Sequence, residues 1–197
     1  VHRKIFNYNP QAKIIYILRN PIDRIQSNHW HAYNVGLTSI RNINSALLLN
    51  NNMEASYYYR NIRPFLDTFG KDQVLILLYD DLKKDDAIIQ EQLSSFLNLD
   101  FSSIGNKIKK INVSGGKKRN NQRLVRLSNK NLVLRSYKKL LPSKIKLWLH
   151  SEMSKLLALK TRPRLNERNR IKIIKDLMPE ITNIEKLIGR DLSSWYK

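Results

Sequence analysis

Two unbroken apolar runs punctuate a chain whose remaining hydrophobic positions recur at helical spacing. Ile14-Ile15-Tyr16-Ile17-Leu18 is rich in β-branched residues and predicts a strand buried on both faces of a parallel sheet. The run Val74-Leu75-Ile76-Leu77-Leu78 predicts a second strand, from Gln73 to Tyr79. Between them, from Met53 to Gly70, residues Tyr58, Ile62, Phe65, Leu66 and Phe69 follow a helical period. Gly70 supplies the stop, and Pro64 is expected to kink or divide the helix. Strand, helix and strand thus alternate as in an open parallel α/β sheet flanked by helices.

The end of the first strand is the most informative stretch. Asn20 occupies a helix N-cap position and Pro21 the first helical position, where a missing N–H costs nothing. Asp23 lies beside the positive end of the helix dipole. A helix therefore starts at Pro21, with Asn20, Arg24 and Ser27 on one face. Arg19 ends the strand, so guanidinium and hydroxyl groups can converge on an anion near a helix N-terminus. In open α/β sheets ligands bind at the carboxyl ends of strands, which makes Tyr79 the second position to watch. A tyrosine there also suits capping of the sheet edge. Asp80 and Asp81 are adjacent, diverge in direction, and are expected to orient loops or cap a helix rather than to act as an acid–base pair.

Downstream, a helix from about Asp85 to Leu97 buries Ile89, Leu93, Phe96 and Leu97. A polar, basic, glycine-containing loop follows from Asn106 to Asn121. Then come helical stripes through Leu124, Leu127, Leu134, Tyr137 and Leu141, and through Ile145, Leu149, Met153, Leu156 and Leu157. A last helix is expected from Asn166 past Leu177. It is interrupted at Pro179 and resumes through Ile184, Leu187 and Ile188 to Gly189-Arg190-Asp191-Leu192-Ser193-Ser194-Trp195.

Composition narrows the chemistry. A chain of 197 residues suits one domain, residues 1–197. It has no cysteine, hence no disulfide framework or thiolate metal site, and its four histidines show no metal-ligand spacing. No apolar run approaches a membrane span. A cytoplasmic location is expected, or the Golgi lumen if the source is eukaryotic. Lys and Arg number 36 against 16 Asp and Glu, a formal net charge of +20 that favours anionic partners. Much of the excess follows Lys107. In the loop, Gly116, Lys117 and Lys118, with Arg119 as substitute, combine free backbone N–H groups with cationic side chains, a composition suited to a phosphate or simply to a solvated basic surface.

The Arg19-Asn20-Pro21 turn with Ser27 two helical turns later resembles the signature of the sulfotransferases that use 3′-phosphoadenosine 5′-phosphosulfate. Tyr79-Asp80-Asp81-Leu82, the Asn112-x-Ser114-Gly115 run before basic residues, and the closing Gly189-Arg190-Asp191-Leu192-x-x-Trp195 are similar to segments of that family, in the same order. The resemblance implies the P-loop-like α/β fold of that family with a helical carboxyl-terminal part. It implies that Arg19 and Ser27 hold the donor's 3′-phosphate, that Tyr79 lies by its adenosine, and that Gly116, Lys117 and Lys118 are donor contacts. It further implies transfer of a sulfuryl group to a hydroxyl or amine without a metal; the basic surface points weakly to a glycan acceptor.

The family's glycine-rich 5′-phosphosulfate loop, with its lysine, is expected upstream of Val1, so the chain reads as a carboxyl-terminal portion that would be inactive alone. The catalytic residues are therefore not assigned. His2 lies on the side where the family places its base, but in a segment that reads as a helix end. His29 and His31 face different ways on the helix after the turn and read as core or surface residues, one of them a conceivable acceptor contact; His150 is assigned nothing. The alternative reading is a basic module that binds polyanions or nucleic acid without catalysis. Against it, aromatic residues do not interleave with the basic loop as base stacking requires, and no nucleic-acid partner is expected. A kinase-like site lacks a visible Gly-Lys-Ser/Thr loop and magnesium-binding carboxylate.

Overall fold

The computed structural model describes residues 1–35, 37–47, 53–84, 86–100 and 161–197, with single positions at 142, 145 and 148. In chain order the elements are α1 (His2–Tyr8), β1 (Ile14–Leu18), α2 (Pro21–Asn34), α3 (Ile43–Ala46), α4 (Tyr58–Phe69), β2 (Val74–Leu78), α5 (Tyr79–Lys84), α6 (Asp86–Leu97) and α7 (Glu167–Ile188). Two compact units arise: Val1–Arg24, Met53–Lys110 and Ile171–Lys197 form one, Ile25–Asn52 and Ile111–Arg170 the other. Expectations for 101–140 and for the helical stripes before residue 161 fall outside the described residues, apart from Ile145 and Trp148, which are helical.

In the first unit β1 and β2 pair in parallel, with register from Ile14↔Val74 to Leu18↔Leu78. This is the mixed α/β arrangement expected from the alternating pattern. Tyr16 meets Phe65 of α4 edge-on at 5.6 Å between ring centroids, and Phe65 stacks near Phe69, which in turn meets Phe6 of α1. The aromatic spacing on α4 thus forms the layer against one face of the sheet. Burial of β1 on both faces is not observed. Ile17 is 56% exposed while its register partner Leu77 is 2% exposed, and Ile15 is exposed as well. Among the described residues, cover on that face reaches β2 and stops before β1, so continuous hydrophobicity in β1 overstated its burial.

Neither proline divides its helix. A short 3-10 turn at Glu54–Ser56 precedes α4, which runs without division through Pro64. Buried Ile62 and Phe69 fix the helix on either side of it, and the Thr68 hydroxyl donates to the Pro64 carbonyl at 2.7 Å. Likewise α7 continues through Pro179 for 22 residues. Ile173, Leu177, Ile181 and Ile184 form one buried stripe across the proline, and that packing outweighs the loss of one backbone hydrogen bond. The helix ends at Gly189, whose φ of +64° is the left-handed conformation glycine adopts without strain.

The last residues then dock. The Leu192 amide donates to Glu185 Oε1 at 2.7 Å, and Trp195, 2% exposed, meets Tyr58 edge-on at 6.0 Å. Arg190 grips Asp81 with both terminal nitrogens. Asp80 and Asp81 lie in the first turn of α5, where carboxylates favour the helix dipole, in keeping with a structural role.

The second unit buries Ile25, Tyr33, Ile43 and Ala46. Asn44 ties its segments together: its amide oxygen accepts from the Asn166 amide and from Asn169 Nδ2, each at 3.0 Å.

Truncation Trp195→Ala is expected to cost about 3–5 kcal/mol, whereas Arg190→Ala, which breaks a partly exposed pair, costs about 1 kcal/mol. Urea denaturation of the two variants checks the order; equal losses would show that the tail docks through charge rather than through the indole.

Candidate functional site

Asn20 caps α2 as its side chain and position dictate: Oδ1 accepts from the Ile22 amide at 3.0 Å and from the Asp23 amide at 3.3 Å. The cap fixes the turn that carries Arg19 from the end of β1 to the start of α2. The Arg19 side chain is then held from two directions. Its Nη2 donates to Asp23 Oδ2 at 3.0 Å, and its guanidinium lies 4.9 Å from the centroid of the Tyr79 ring. The two strand-end residues picked out by the sequence are thus in contact. Arg19 Nε is buried and has no hydrogen-bond partner among the described residues. A buried donor left unpaired costs about 1–3 kcal/mol, so this geometry favours an incoming acceptor.

Tyr79 opens α5 directly after β2. Lys83 reaches back to its ring, with Nζ 4.8 Å from the centroid, and also donates to Asp80 at 2.9 Å. Two cations therefore attend one aromatic ring.

Beneath Arg19 lies a second polar group. The Tyr58 hydroxyl donates to the Arg19 carbonyl at 2.7 Å, and Arg24 Nε donates to the buried Ser56 hydroxyl at 2.7 Å. The Arg24 guanidinium also interacts electrostatically with the Tyr58 hydroxyl. Burial lowers the Arg24 pKa, opposed by its interaction with Tyr58; burial raises the Tyr58 pKa, opposed by the charges of Arg24 and Arg19. Burial dominates both shifts, and an arginine so far above neutrality keeps its charge. Arg19, Arg24, Tyr58 and Tyr79 line an open cavity of about 510 Å³ at the carboxyl end of β1. The cavity combines two guanidinium groups with aromatic walls, chemistry suited to an anionic aromatic ligand.

Sequence reasoning treated Tyr58 only as an apolar helix position and passed over Ser56. The signal available was weak: Tyr57-Tyr58-Tyr59 offers three phenols, and only the fold shows which one meets the strand end. Ser27 is half buried within α2 and is not among the residues that line the cavity. Gly116, Lys117, Lys118 and Arg119 lie outside the described residues, as does His150. His2 packs edge-on to Phe65 at 5.8 Å. His29 is buried, with Nε2 3.2 Å from the Arg41 carbonyl oxygen, and His31 is exposed in the last turn of α2. Among the described residues no group of three or more His, Cys, Asp and Glu could hold a metal ion, and no helix is long and apolar enough to cross a membrane.

The family described as Sulfotransferase domain matches residues 4–165. The chain belongs to the sulfotransferase family. Among curated members, sulfotransferase 2A6 of Mus musculus is 27% identical over 95 residues, which cover 46% of this chain and 33% of that protein. The fold matches the crystal structure of a sulfotransferase from Alicyclobacillus acidocaldarius with a TM-score of 0.64 at 16% identity, covering 100% of this chain and 62% of that one. The chain thus spans one third of the curated relative's length and less than two thirds of the solved structure's. The cavity at the Arg19 strand end therefore lies in a sulfotransferase fold.

Replacing Asn20 by Ala removes the acceptor for two amides and is expected to destabilise the protein by about 1 kcal/mol. Chemical denaturation checks the size of the loss; a stability equal to the parent would mean that water caps α2 as well as Asn20 does.

Proposed function

We propose that this chain supplies the nucleotide-binding part of a sulfotransferase that takes its sulfuryl group from 3′-phosphoadenosine 5′-phosphosulfate, with Arg19 as the main contact of the donor's 3′-phosphate. The observation that carries this reading is the Arg19 guanidinium itself, charged, held by Asp23 and Tyr79, and left with one buried donor to spare. A phosphate oxygen satisfies that donor and forms a charge-assisted hydrogen bond. Membership of the sulfotransferase family supports a sulfuryl donor of this class. Ser27 is proposed as a second contact of the same phosphate, Tyr79 as a neighbour of the adenosine, and Gly116, Lys117 and Lys118 as further donor contacts.

In the reaction the bond between sulfur and the bridging phosphate oxygen breaks as sulfur bonds to an acceptor oxygen or nitrogen. The acceptor's proton passes to a base, and 3′-phosphoadenosine 5′-phosphate leaves. Arg19 acts at a distance from the reacting sulfur, so its contribution is anchoring and orientation rather than chemistry. The acceptor proposed is a hydroxyl-bearing molecule such as an acidic glycan, in keeping with the net charge of +20.

Calorimetry tests the assignment. The protein is expected to bind 3′-phosphoadenosine 5′-phosphate more tightly than adenosine 5′-phosphate, and Arg19→Ala to weaken the first by about 10- to 100-fold while changing the second little. Ser27→Ala loses one neutral hydrogen bond and is expected to cost about 5- to 10-fold in the same comparison. If Arg19→Ala leaves the preference for the 3′-phosphorylated nucleotide intact, the phosphate is held elsewhere.

A further inference from the structure

Arg19 is shaped by residues that lie far from it in sequence. Its backbone carbonyl accepts the Tyr58 hydroxyl at 2.7 Å, and Tyr58 is the first residue of α4. The Arg24 guanidinium interacts electrostatically with that hydroxyl, and its Nε is anchored on Ser56, the last residue of the preceding 3-10 turn. Tyr58 and Ser56 are both buried, while Arg24 also lines the open cavity. A buried hydroxyl bonded to a peptide carbonyl holds the orientation of that peptide group, here the one that carries the candidate phosphate ligand.

The Arg19 side chain has its own restraints, Asp23 and Tyr79, but both act on the guanidinium end. The Asn20 cap holds the turn that follows Arg19, and the Tyr58 bond holds the Arg19 carbonyl itself. With no Tyr58 hydroxyl the Arg19 carbonyl loses that partner. The turn can then rotate to recover one from water, and the buried Nε moves with it.

We propose that Tyr58, backed by Arg24 and Ser56, is a positioning residue that sets the aim of Arg19 and thereby the discrimination between 3′-phosphorylated and unphosphorylated adenine nucleotides. This rests on the reading of Arg19 as the 3′-phosphate contact. Tyr58 acts through Arg19 and is not itself a ligand of the phosphate. Because Tyr58 holds the backbone of the proposed 3′-phosphate contact, loss of its hydroxyl weakens one nucleotide selectively rather than both equally.

The measurement is the ratio of dissociation constants for adenosine 5′-phosphate and 3′-phosphoadenosine 5′-phosphate, in parent, Tyr58→Phe, Arg19→Ala and the double variant. Tyr58→Phe keeps the ring against Trp195 and is expected to lower the ratio about 5-fold, with adenosine 5′-phosphate affinity changed less than 2-fold. In the Arg19→Ala background Tyr58→Phe is expected to change nothing more, as a double-mutant cycle requires of two residues acting as one. Ser56→Ala, which takes the acceptor from Arg24 and leaves every ring in place, is expected to lower the ratio about 2- to 3-fold.

An unchanged ratio in Tyr58→Phe overturns the proposal, as does an unchanged ratio in Ser56→Ala should Tyr58→Phe fail to fold. Equal weakening of both nucleotides assigns Tyr58 a purely structural role, and a further drop in the Arg19→Ala background shows that it acts independently of Arg19; either result overturns the proposal. A parent protein that binds the two nucleotides equally overturns the donor reading itself, which keeps the two failures distinct.

Discussion

The whole site depends on holding a guanidinium still at the point where a strand becomes a helix. Arginine is flexible and strongly solvated, and at a bare strand end it would sample many rotamers. Here Asn20 fixes the turn, Asp23 binds one terminal nitrogen and the Tyr79 ring faces the guanidinium plane. These restraints reduce the entropy that an arriving anion would otherwise have to remove. They also leave Nε without a partner among the described residues, a local deficit that an anionic ligand relieves. The proposed anchoring of a phosphate draws on this pre-organisation.

The carboxyl-terminal residues buttress this junction from behind. Trp195 packs edge-on against Tyr58, the residue that binds the Arg19 carbonyl, while Arg190 grips Asp81 in the first turn of α5, two residues after Tyr79. The last segment of the chain thus supports both strand-end elements at once. Its two anchors differ in kind. The indole is buried and contributes through excluded water and packing, whereas the arginine pair is partly exposed and contributes chiefly direction. A tail joined through both is hard to displace by salt or by a single surface change.

Much of this was legible in the chain. The two apolar runs marked β1 and β2, and the alternation with helices marked a parallel pairing. Asn20, Pro21 and Asp23 announced the start of α2 because capping is a local matter, decided by residues within one turn of each other. Arg19 and Tyr79 could be singled out because the carboxyl ends of parallel strands are where such sheets bind ligands. The two prolines misled for the opposite reason. Their cost is local, but the burial of Ile62 and Phe69 around one and of Leu177 and Ile181 around the other is a sum over distant neighbours. The exposure of Ile15 and Ile17 likewise depends on what lies across the sheet, which an apolar run does not encode.

Sequence by itself determined the strands, the cap, the charge of the site and the two residues at its strand ends, together with the order of segments that marks a sulfotransferase. The strands and the cap follow from backbone preference and periodicity, which act over a few residues, whereas the segment order is a resemblance to the family. Only tertiary structure decided which of three consecutive tyrosines reaches the Arg19 carbonyl, that Arg24 donates to Ser56, and that the Arg19 guanidinium rests on Tyr79. Those contacts join residues far apart in sequence, 32 positions for Arg24 with Ser56 and 39 for Tyr58 with Arg19. They form because folding brings α4 and β2 alongside the end of β1, and a hydrogen bond a few tenths of an ångström too long, or a phenol one position off, would not make them.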